Sequence, residues 1–355
     1  MKKWVMCLVL VLMMTAPCFG AEPEKFPVPG LDELWEQAED YGVTPADTLQ
    51  SGLSGLLDRG LEEGERLLKR GGVTVFRLMA VVLVCALAEN LREGEDNTRA
   101  VEMAGALAIT ALTMTDISAM IGLGWETLGR METFSKALLP VLAVLTAAAG
   151  GPTAAALRQG ATVLFSQLLL TAMDSLLIPL VYAFVAVHCV RAAAGLGGLA
   201  KLADLMKGTA GMLLTGFLLA FVGYLTASGA IAGGVDASAV KAARMAITRV
   251  IPVVGGILAD ASESVLAGAA VLRGAVGAAG MLVVLTICLS PFLHLALQYL
   301  AYKLAAALCA MVAQPALSQL IDAIGSAFGM VLGMTGAGAL ILLVSIVSAL
   351  KAVIP

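Results

Sequence analysis

The order of apolar and polar segments constrains this chain more than any other feature. A basic pair and an apolar run from Trp4 to Met14 precede small residues up to Ala21, then comes an acidic segment, and mostly apolar sequence follows. The first part is typical of a secretory signal cleaved near Gly20. We therefore expect residues 1–20 to be a signal peptide and the remainder to be exported into or across the cell envelope.

The composition points to a membrane protein. The chain is 59% hydrophobic and 14% charged, with a mean hydropathy of +0.93, whereas soluble domains are about a quarter charged. Such a chain cannot bury its apolar surface in one water-soluble core, so the predicted fold is an all-α polytopic membrane protein. Residues 22–70 hold twelve acidic and five basic side chains. This predicts an acidic, helical, extracytoplasmic head over 21–72 and a membrane domain over 73–355.

Apolar stretches long enough to cross a bilayer recur along the membrane domain. A helix needs about 20 apolar residues to span the hydrocarbon core, and several stretches here are shorter than that or interrupted. Gly150-Gly151-Pro152 interrupts one long stretch, so half-helices that enter and return are expected on either side. We predict about seven to nine spans, including broken or re-entrant helices, among the candidates 73–90, 101–124, 133–150, 155–173, 175–192, 208–228, 275–299, 302–321 and 330–351.

Basic residues in short loops predict the orientation. Arg191, Lys201 and Lys207 form the clearest basic loop, and short cytoplasmic loops carry an excess of Lys and Arg. We therefore expect this loop to be cytoplasmic and the head to be extracytoplasmic. An odd number of spans then puts Lys351 inside the cell.

The segment 234–273 does not fit a simple transmembrane helix. Its first part carries basic residues opposite an apolar face, which is the pattern of an interfacial amphipathic helix; these are Lys241, Arg244 and Arg249. A Pro and a Gly pair then break the helix, and two carboxylates follow one turn apart. Broken helices at membrane depth occur where protein or a water-filled cavity receives the freed backbone groups. The candidate functional break and conduit comprises Pro252, Gly255, Gly256, Asp260 and Glu263, although the carboxylates can equally be interfacial charges paired with Arg244 or Arg249.

Other ionisable groups lie within the apolar stretches. A charge at membrane depth is costly and is a candidate for function. Asp116 is central to its span and Asp174 lies near an expected helix break, so both are candidates for ion coupling or a polar pathway. Arg77, Glu102 and His188 lie near span ends, where side chains reach the interface. In the head, apolar residues at helical spacing pack on the membrane body or bind a partner, and the candidate docking residues are Leu34, Trp35, Leu53 and Leu57.

The chain carries no convincing catalytic or metal-binding motif. It contains no HExxH, Walker A or strand-borne GxGxxG pattern, and its cysteines lie far apart in apolar runs. Gly52-Leu53-Ser54-Gly55 matches the GxSG of rhomboid proteases, but Ser54 precedes every predicted span. We predict a non-enzymatic protein with no catalytic residues, no metal, no cofactor and no nucleic-acid partner.

Several segments resemble the stage III sporulation protein AE family of endospore-forming Firmicutes. The most specific is Ala239–Ile247 (AVKAARMAI) with Ile251–Ala261 (IPVVGGILADA). Supporting matches, all read from the same sequence, are Ala88-Glu89-Asn90-Leu91, Leu138-Leu139-Pro140-Val141, Gly277-Ala278-Ala279-Gly280, Pro291 and Gln314-Pro315.

The resemblance implies a multi-pass protein of the mother-cell membrane around the forespore. Such a protein is one subunit of a secretion-like channel complex needed for late forespore development. Its implied partners are the other stage III A proteins and, across the intermembrane space, stage II sporulation protein Q. The residues alone leave a second hypothesis open, a self-contained secondary transporter of a small solute, in which Asp116, Asp174 or Asp260 couples to an ion.

Overall fold

The computed structural model describes residues 28–44, 49–90, 95–148, 152–196, 198–250, 255–312 and 315–351. In some helical stretches, chiefly 228–250 and 255–270, only the backbone is described. The helices are α1 (Leu31–Asp40), α2 (Leu49–Asn90), α3 (Glu95–Ala148), α4 (Pro152–Ala172), α5 (Ile178–Ala194), α6 (Leu199–Val250), α7 (Gly255–Cys309) and α8 (Pro315–Lys351), with a π-helical turn, Met173–Leu177, joining α4 to α5.

The all-α prediction is confirmed. The described residues form helices and connecting turns without a strand, and six of the helical stretches are long and apolar enough to cross a membrane. These stretches are Ser51–Glu89, Arg99–Ala148, Gln159–Ala194, Leu199–Leu225, Val271–Cys309 and Pro315–Ala349. A polytopic helical membrane protein is therefore the class that the fold defines.

Six is fewer than the seven to nine predicted, because neighbouring candidates merge. The candidates 101–124 and 133–150 lie in one 54-residue helix, α3, while 155–173 and 175–192 join through the π-helical turn. The candidate 302–321 straddles the turn after Cys309. Each merged helix is much longer than the roughly 20 residues that cross the hydrocarbon core. A prediction from hydropathy therefore divided helices that the backbone keeps continuous.

Helix α2 also merges two predicted units. The sequence predicted a head helix ending near Arg70 and a separate first span from residue 73. The structure has one 42-residue helix. A Cβ atom added at Gly71 would lie 3.4 Å from Cβ of Ala301 on α7, so this glycine marks a close approach of two helices rather than a helix end.

The long helices alternate in direction around α8. Gly329 and Gly336 of α8 pack against Tyr299 and Phe292 of α7, an antiparallel pairing. Gly333 of α8 lies near Leu214 of α6, and that pairing is parallel. Because these six long helices alternate in direction, the start of α2 and the end of α8 lie at the same end of the bundle.

The short helix α1 packs on the bundle. Leu34 and Ala38 are 3% and 1% exposed, and they share an apolar cluster with residues of α3 and α7 such as Leu138 and Val283. The ring of Tyr41 meets Phe134 of α3 edge to face, at 6.5 Å between centroids. The head therefore starts as part of the same folded body as the membrane helices.

Three buried threonines satisfy their hydroxyl groups within their own helices. Thr113, Thr146 and Thr335 each donate a hydrogen bond to the carbonyl oxygen four residues earlier, at 2.7–3.0 Å. In an apolar bundle an unpaired hydroxyl is costly, and this local bond removes the cost without a second helix. These threonines therefore pack as apolar residues do and are not candidates for a polar pathway.

The Gly325→Ala substitution should destabilise the bundle. The new methyl group would lie 3.2 Å from Cβ of Tyr302 and 3.5 Å from the backbone nitrogen of Lys303, and neither atom can rotate away. Overpacking of this kind costs about 1–3 kcal/mol, so we expect a lower thermal unfolding midpoint in detergent. Gly122→Ala, which meets no atom within 4 Å, is the control and should leave the midpoint unchanged or raise it. Equal midpoints for the two variants would contradict the close packing.

Candidate functional site: a polar row across the helix bundle

Asp116, predicted as an intramembrane polar residue, has a specific partner. The hydroxyl of Tyr302 on α7 donates a hydrogen bond to Oδ2 of Asp116 on α3, at 2.9 Å. Tyr302 is fully buried, and its ring packs edge to face on Phe328 of α8, with centroids 4.8 Å apart. The packing fixes the hydroxyl, so the carboxylate meets a pre-positioned donor.

The next residue on α7, Lys303, is the centre of a second polar group. Its Nζ lies 2.6 Å from Oδ1 of Asp322 and donates to Oγ of Ser326 at 2.9 Å, both on α8. Lys207 of α6 approaches the same Ser326 hydroxyl at 3.4 Å. Two lysines from different helices therefore converge on one serine, beside a single ion-paired carboxylate.

These contacts form one row at a common height in the bundle. Because Tyr302 and Lys303 are consecutive, the Asp116 contact and the Ser326 contact lie on either side of one turn of α7. We call Asp116, Tyr302, Lys303, Asp322, Ser326 and Lys207 the polar row. It links α3, α7, α8 and α6, and such groups are costly in an apolar bundle unless each finds a partner.

A cavity lies one to two helical turns from the row, toward the start of α8. It encloses about 250 Å³, and His188, Arg191 and Gln319 contribute its polar lining. The ring of His188 packs edge to face on Phe184, with centroids 4.7 Å apart. His188 and Arg191, which the sequence placed near a span end, thus line a cavity between α5 and α8.

The other predicted site residues divide into two sets. Asp174 lies in the π-helical turn, so the expected break is a locally widened helix. Gly255 and Gly256 begin α7, with Asp260 and Glu263 in its first turns, while α6 ends at Val250. The expected break itself, with Pro252, lies outside the described residues, and it stays a prediction. Lys241, Arg244 and Arg249 lie on α6 in a part where only the backbone is described.

Sequence reasoning missed four polar residues that the structure buries or brings into the row: Tyr302, Lys303, Ser326 and Arg273. Tyr302 and Lys303 lie in a long apolar run, and the lysine itself was the available signal. Arg273 of α7 is 5% exposed, and its Nε and Nη1 atoms have no hydrogen-bond partner among the described residues. Within the same described part, no group of three or more His, Cys, Asp or Glu could hold a metal ion.

The comparisons with known proteins agree with this class of fold. The family described as "Stage III sporulation protein AE (spore_III_AE)" matches residues 55–352, and the chain belongs to that family. It is similar to a Bacillus subtilis (strain 168) protein named "Stage III sporulation protein AE", with 24% identity over 269 residues. The match covers 76% of this chain and 66% of the relative, just under two thirds of the relative's length. No solved structure shows a significant match.

Removing the Tyr302 hydroxyl should cost stability through Asp116. Tyr302→Phe leaves a half-buried carboxylate without its donor, a loss of about 1–3 kcal/mol. We expect a lower thermal midpoint than for Tyr182→Phe, a control at an exposed tyrosine of α5. The double variant Asp116→Leu/Tyr302→Phe removes both partners and should recover part of the loss. Equal midpoints for the two single variants would contradict the assignment.

Proposed function

We propose that this protein is a non-enzymatic integral membrane subunit of the sporulation complex that links the mother cell and the forespore. Membership of the stage III sporulation protein AE family supports a role in sporulation. The apolar helices support a multi-pass membrane location. The proposal adds the mother-cell membrane around the forespore as the location and late forespore development as the process.

The observation that carries the subunit role is an exposed apolar face on a charged helix. Residues 58–70 of α2 include eight charged side chains, so this stretch is unsuited to the hydrocarbon core. Leucines nevertheless line one side of it, with Leu57 and Leu61 67% and 74% exposed. We call Leu53, Leu57, Leu61 and Leu68 the leucine stripe. An apolar stripe that the bundle leaves exposed, next to charged side chains, is typical of a protein-binding surface.

Helix α2 is longer than a single crossing of the hydrocarbon core requires. Its 42 residues span about 63 Å at 1.5 Å per residue, roughly twice the hydrocarbon thickness. Leu56 and Leu67, on the neighbouring side of the helix, are buried, and Gly60 lies close to Leu289 and Leu293 of α7. The bundle therefore holds this half of α2 rigidly while the stripe stays free.

The structure refines which head residues are available to a partner. Leu34 is buried against the bundle and Trp35 is partly buried in the same cluster. Leu53 and Leu57 are exposed. We therefore assign docking to the leucine stripe and give Leu34 the role of anchoring α1. The proposed partners are the other stage III A proteins and, across the intermembrane space, stage II sporulation protein Q.

A second candidate function is transport of a small solute by this chain alone. The polar row favours it, because polar contacts between apolar helices, here the Asp116–Tyr302 contact and the partly exposed Lys303–Asp322 pair, are typical of ion or proton pathways. The two functions are compatible, since a subunit of the complex can itself pass metabolites. The leucine stripe separates them, because a free-standing transporter has no use for an exposed apolar face outside the bilayer.

An in-frame deletion in the source organism tests the proposal. We expect engulfment to finish while late forespore-specific transcription and heat-resistant spores are lost. Normal spores together with a solute-uptake defect in growing cells would replace the complex-subunit role with the transporter role.

Charges on the leucine stripe should abolish function without unfolding the protein. Leu57→Asp and Leu61→Asp change exposed positions, where substitutions usually alter stability by less than about 0.5 kcal/mol. We expect normal membrane levels and normal thermal midpoints, but few heat-resistant spores, because a partner cannot bury the new charges. Glu62→Ala, on the charged side of α2, is the control and should sporulate normally. Normal sporulation of both aspartate variants would remove the stripe as a docking surface.

The junction between α6 and α7 provides a further test. We propose that Gly255 and Gly256 allow another backbone to approach closely, so Gly255→Leu/Gly256→Leu should insert into the membrane yet fail to support sporulation. The matched control is Gly208→Leu/Gly211→Leu, at positions where an added Cβ meets no atom within 4 Å. Wild-type sporulation of the first variant would exclude the junction from the functional site.

A further inference from the structure

An open groove separates the last turns of α2 from the first turns of α3. Its volume is about 620 Å³, more than twice the volume of the cavity near His188. Its walls are small side chains at every fourth residue, and its floor consists of Cys85 and Gly105, both buried. The wall residues are Ala80, Val84 and Ala88 on α2 and Ala100, Ala104 and Ala108 on α3.

The spacing of the wall residues suits another helix. Residues four apart stack on one helix face, so each wall is a continuous strip of alanine and valine. Between helices in a membrane there is little hydrophobic driving force, and association depends on close van der Waals packing that small residues allow. The two helices are closely packed at the floor of the groove, because a Cβ atom added at Gly105 would lie only 2.8 Å from Sγ of Cys85. The groove therefore has a closely packed floor and enough room for another helix.

Two carboxylates lie at the loop end of the groove. Glu89 follows Ala88 directly, and its buried Oε1 atom has no hydrogen-bond partner in the described part of the chain. Glu102 is close enough to interact with it electrostatically. The segment 89–102 as a whole carries five acidic and two basic residues. A buried carboxylate beside a second one is costly unless a cation compensates it.

This end of the bundle is the one that the basic loop predicts to be cytoplasmic. Gly105 lies near Leu317 at the start of α8, and Arg191 lines a cavity with Pro315 at the same helix start. Transmembrane helices carry Lys and Arg at their cytoplasmic ends. A helix seated in the groove would therefore bring its basic end beside Glu89 and Glu102.

We propose that the groove between α2 and α3 binds a transmembrane helix of a partner protein, with small residues facing the groove and Lys or Arg next to Glu89 and Glu102. This deepens the proposed function, on which it rests, by assigning a contact within the membrane as well as one outside it. A phospholipid with an amine headgroup is the competing occupant. It could supply the cation but would gain nothing from the fourfold spacing of the walls.

The test uses the full-length protein in nanodiscs and synthetic transmembrane peptides of alanine and leucine. One labelled peptide carries alanine at every fourth position and two lysines at one end. A second has leucine at those alanine positions, and a third has glutamate in place of both lysines. Energy transfer from the labelled protein to the peptide measures binding. We expect the first peptide to bind about tenfold more tightly than either of the others, the effect of losing one good packing or charge contact.

Variants of the protein locate the binding. Ala104→Phe fills the groove and should abolish the signal, whereas Ala220→Phe, on an exposed part of α6, should not. Glu89→Gln/Glu102→Gln should weaken binding of the lysine peptide about tenfold and remove the preference over the glutamate peptide. Glu126→Gln, an exposed carboxylate farther along α3, should change neither.

The outcomes distinguish helix binding in the groove from the proposed role as a subunit of the complex. Equal binding by Ala104→Phe, or equal binding of the alanine and leucine peptides, would overturn the inference. Loss of a tightly bound phospholipid from Ala104→Phe in native mass spectra, without peptide binding to the unmodified protein, would identify a lipid site instead. No sporulation readout enters this measurement, so its failure leaves the subunit role intact. Normal spores after gene deletion would remove that role whatever the peptides do.

Discussion

The close contact of α7 with α8 is the constraint on which the rest of the bundle depends. In a membrane, helices gain little from burying apolar surface against each other, so they must pack closely to associate. Here the glycines lie on α8 and the large rings on α7: Gly325 receives Tyr302, Gly329 receives Tyr299 and Gly336 receives Phe292. All the other long helices pack around this pair. A bulkier residue at these glycines would separate the helices over several turns rather than at one point.

The same contact allows the polar row to form in an apolar environment. Tyr302 and Lys303 occupy the turn of α7 nearest to Gly325, so the approach that buries the tyrosine ring also delivers its hydroxyl to Asp116 and the neighbouring ammonium group to Asp322. Each of these groups would be costly alone. Together they also fix the relative position of four helices, because hydrogen bonds are directional whereas apolar contacts tolerate sliding. The row therefore has a structural role whether or not it conducts an ion.

The sequence predicted the class of fold and one member of the polar row, and the physical reason for the rest is clear. Hydropathy shows how apolar a stretch is but not where a long helix stops, so α3 was divided into two spans and α2 into a head helix and a span. Asp116 was identified because an acid inside an apolar run is conspicuous. Its partner was not, since a tyrosine in such a run reads as an ordinary core residue until α7 is placed beside α3.

The continuity of α2 ties the two proposed contact surfaces into one mechanical unit. The leucine stripe and the alanine wall of the groove lie on a single unbroken helix, with Leu53 near its start and Ala88 near its end. A helix with a complete hydrogen-bond ladder resists bending, and α7 supports α2 along its length through Gly60 and Gly71. A partner outside the membrane and a partner helix within it would therefore be held at a fixed distance and rotation from each other. If the head were a separate domain on a flexible linker, the two contacts would form independently. With one rigid helix, the first contact orients the second, which reduces the entropy lost on assembly.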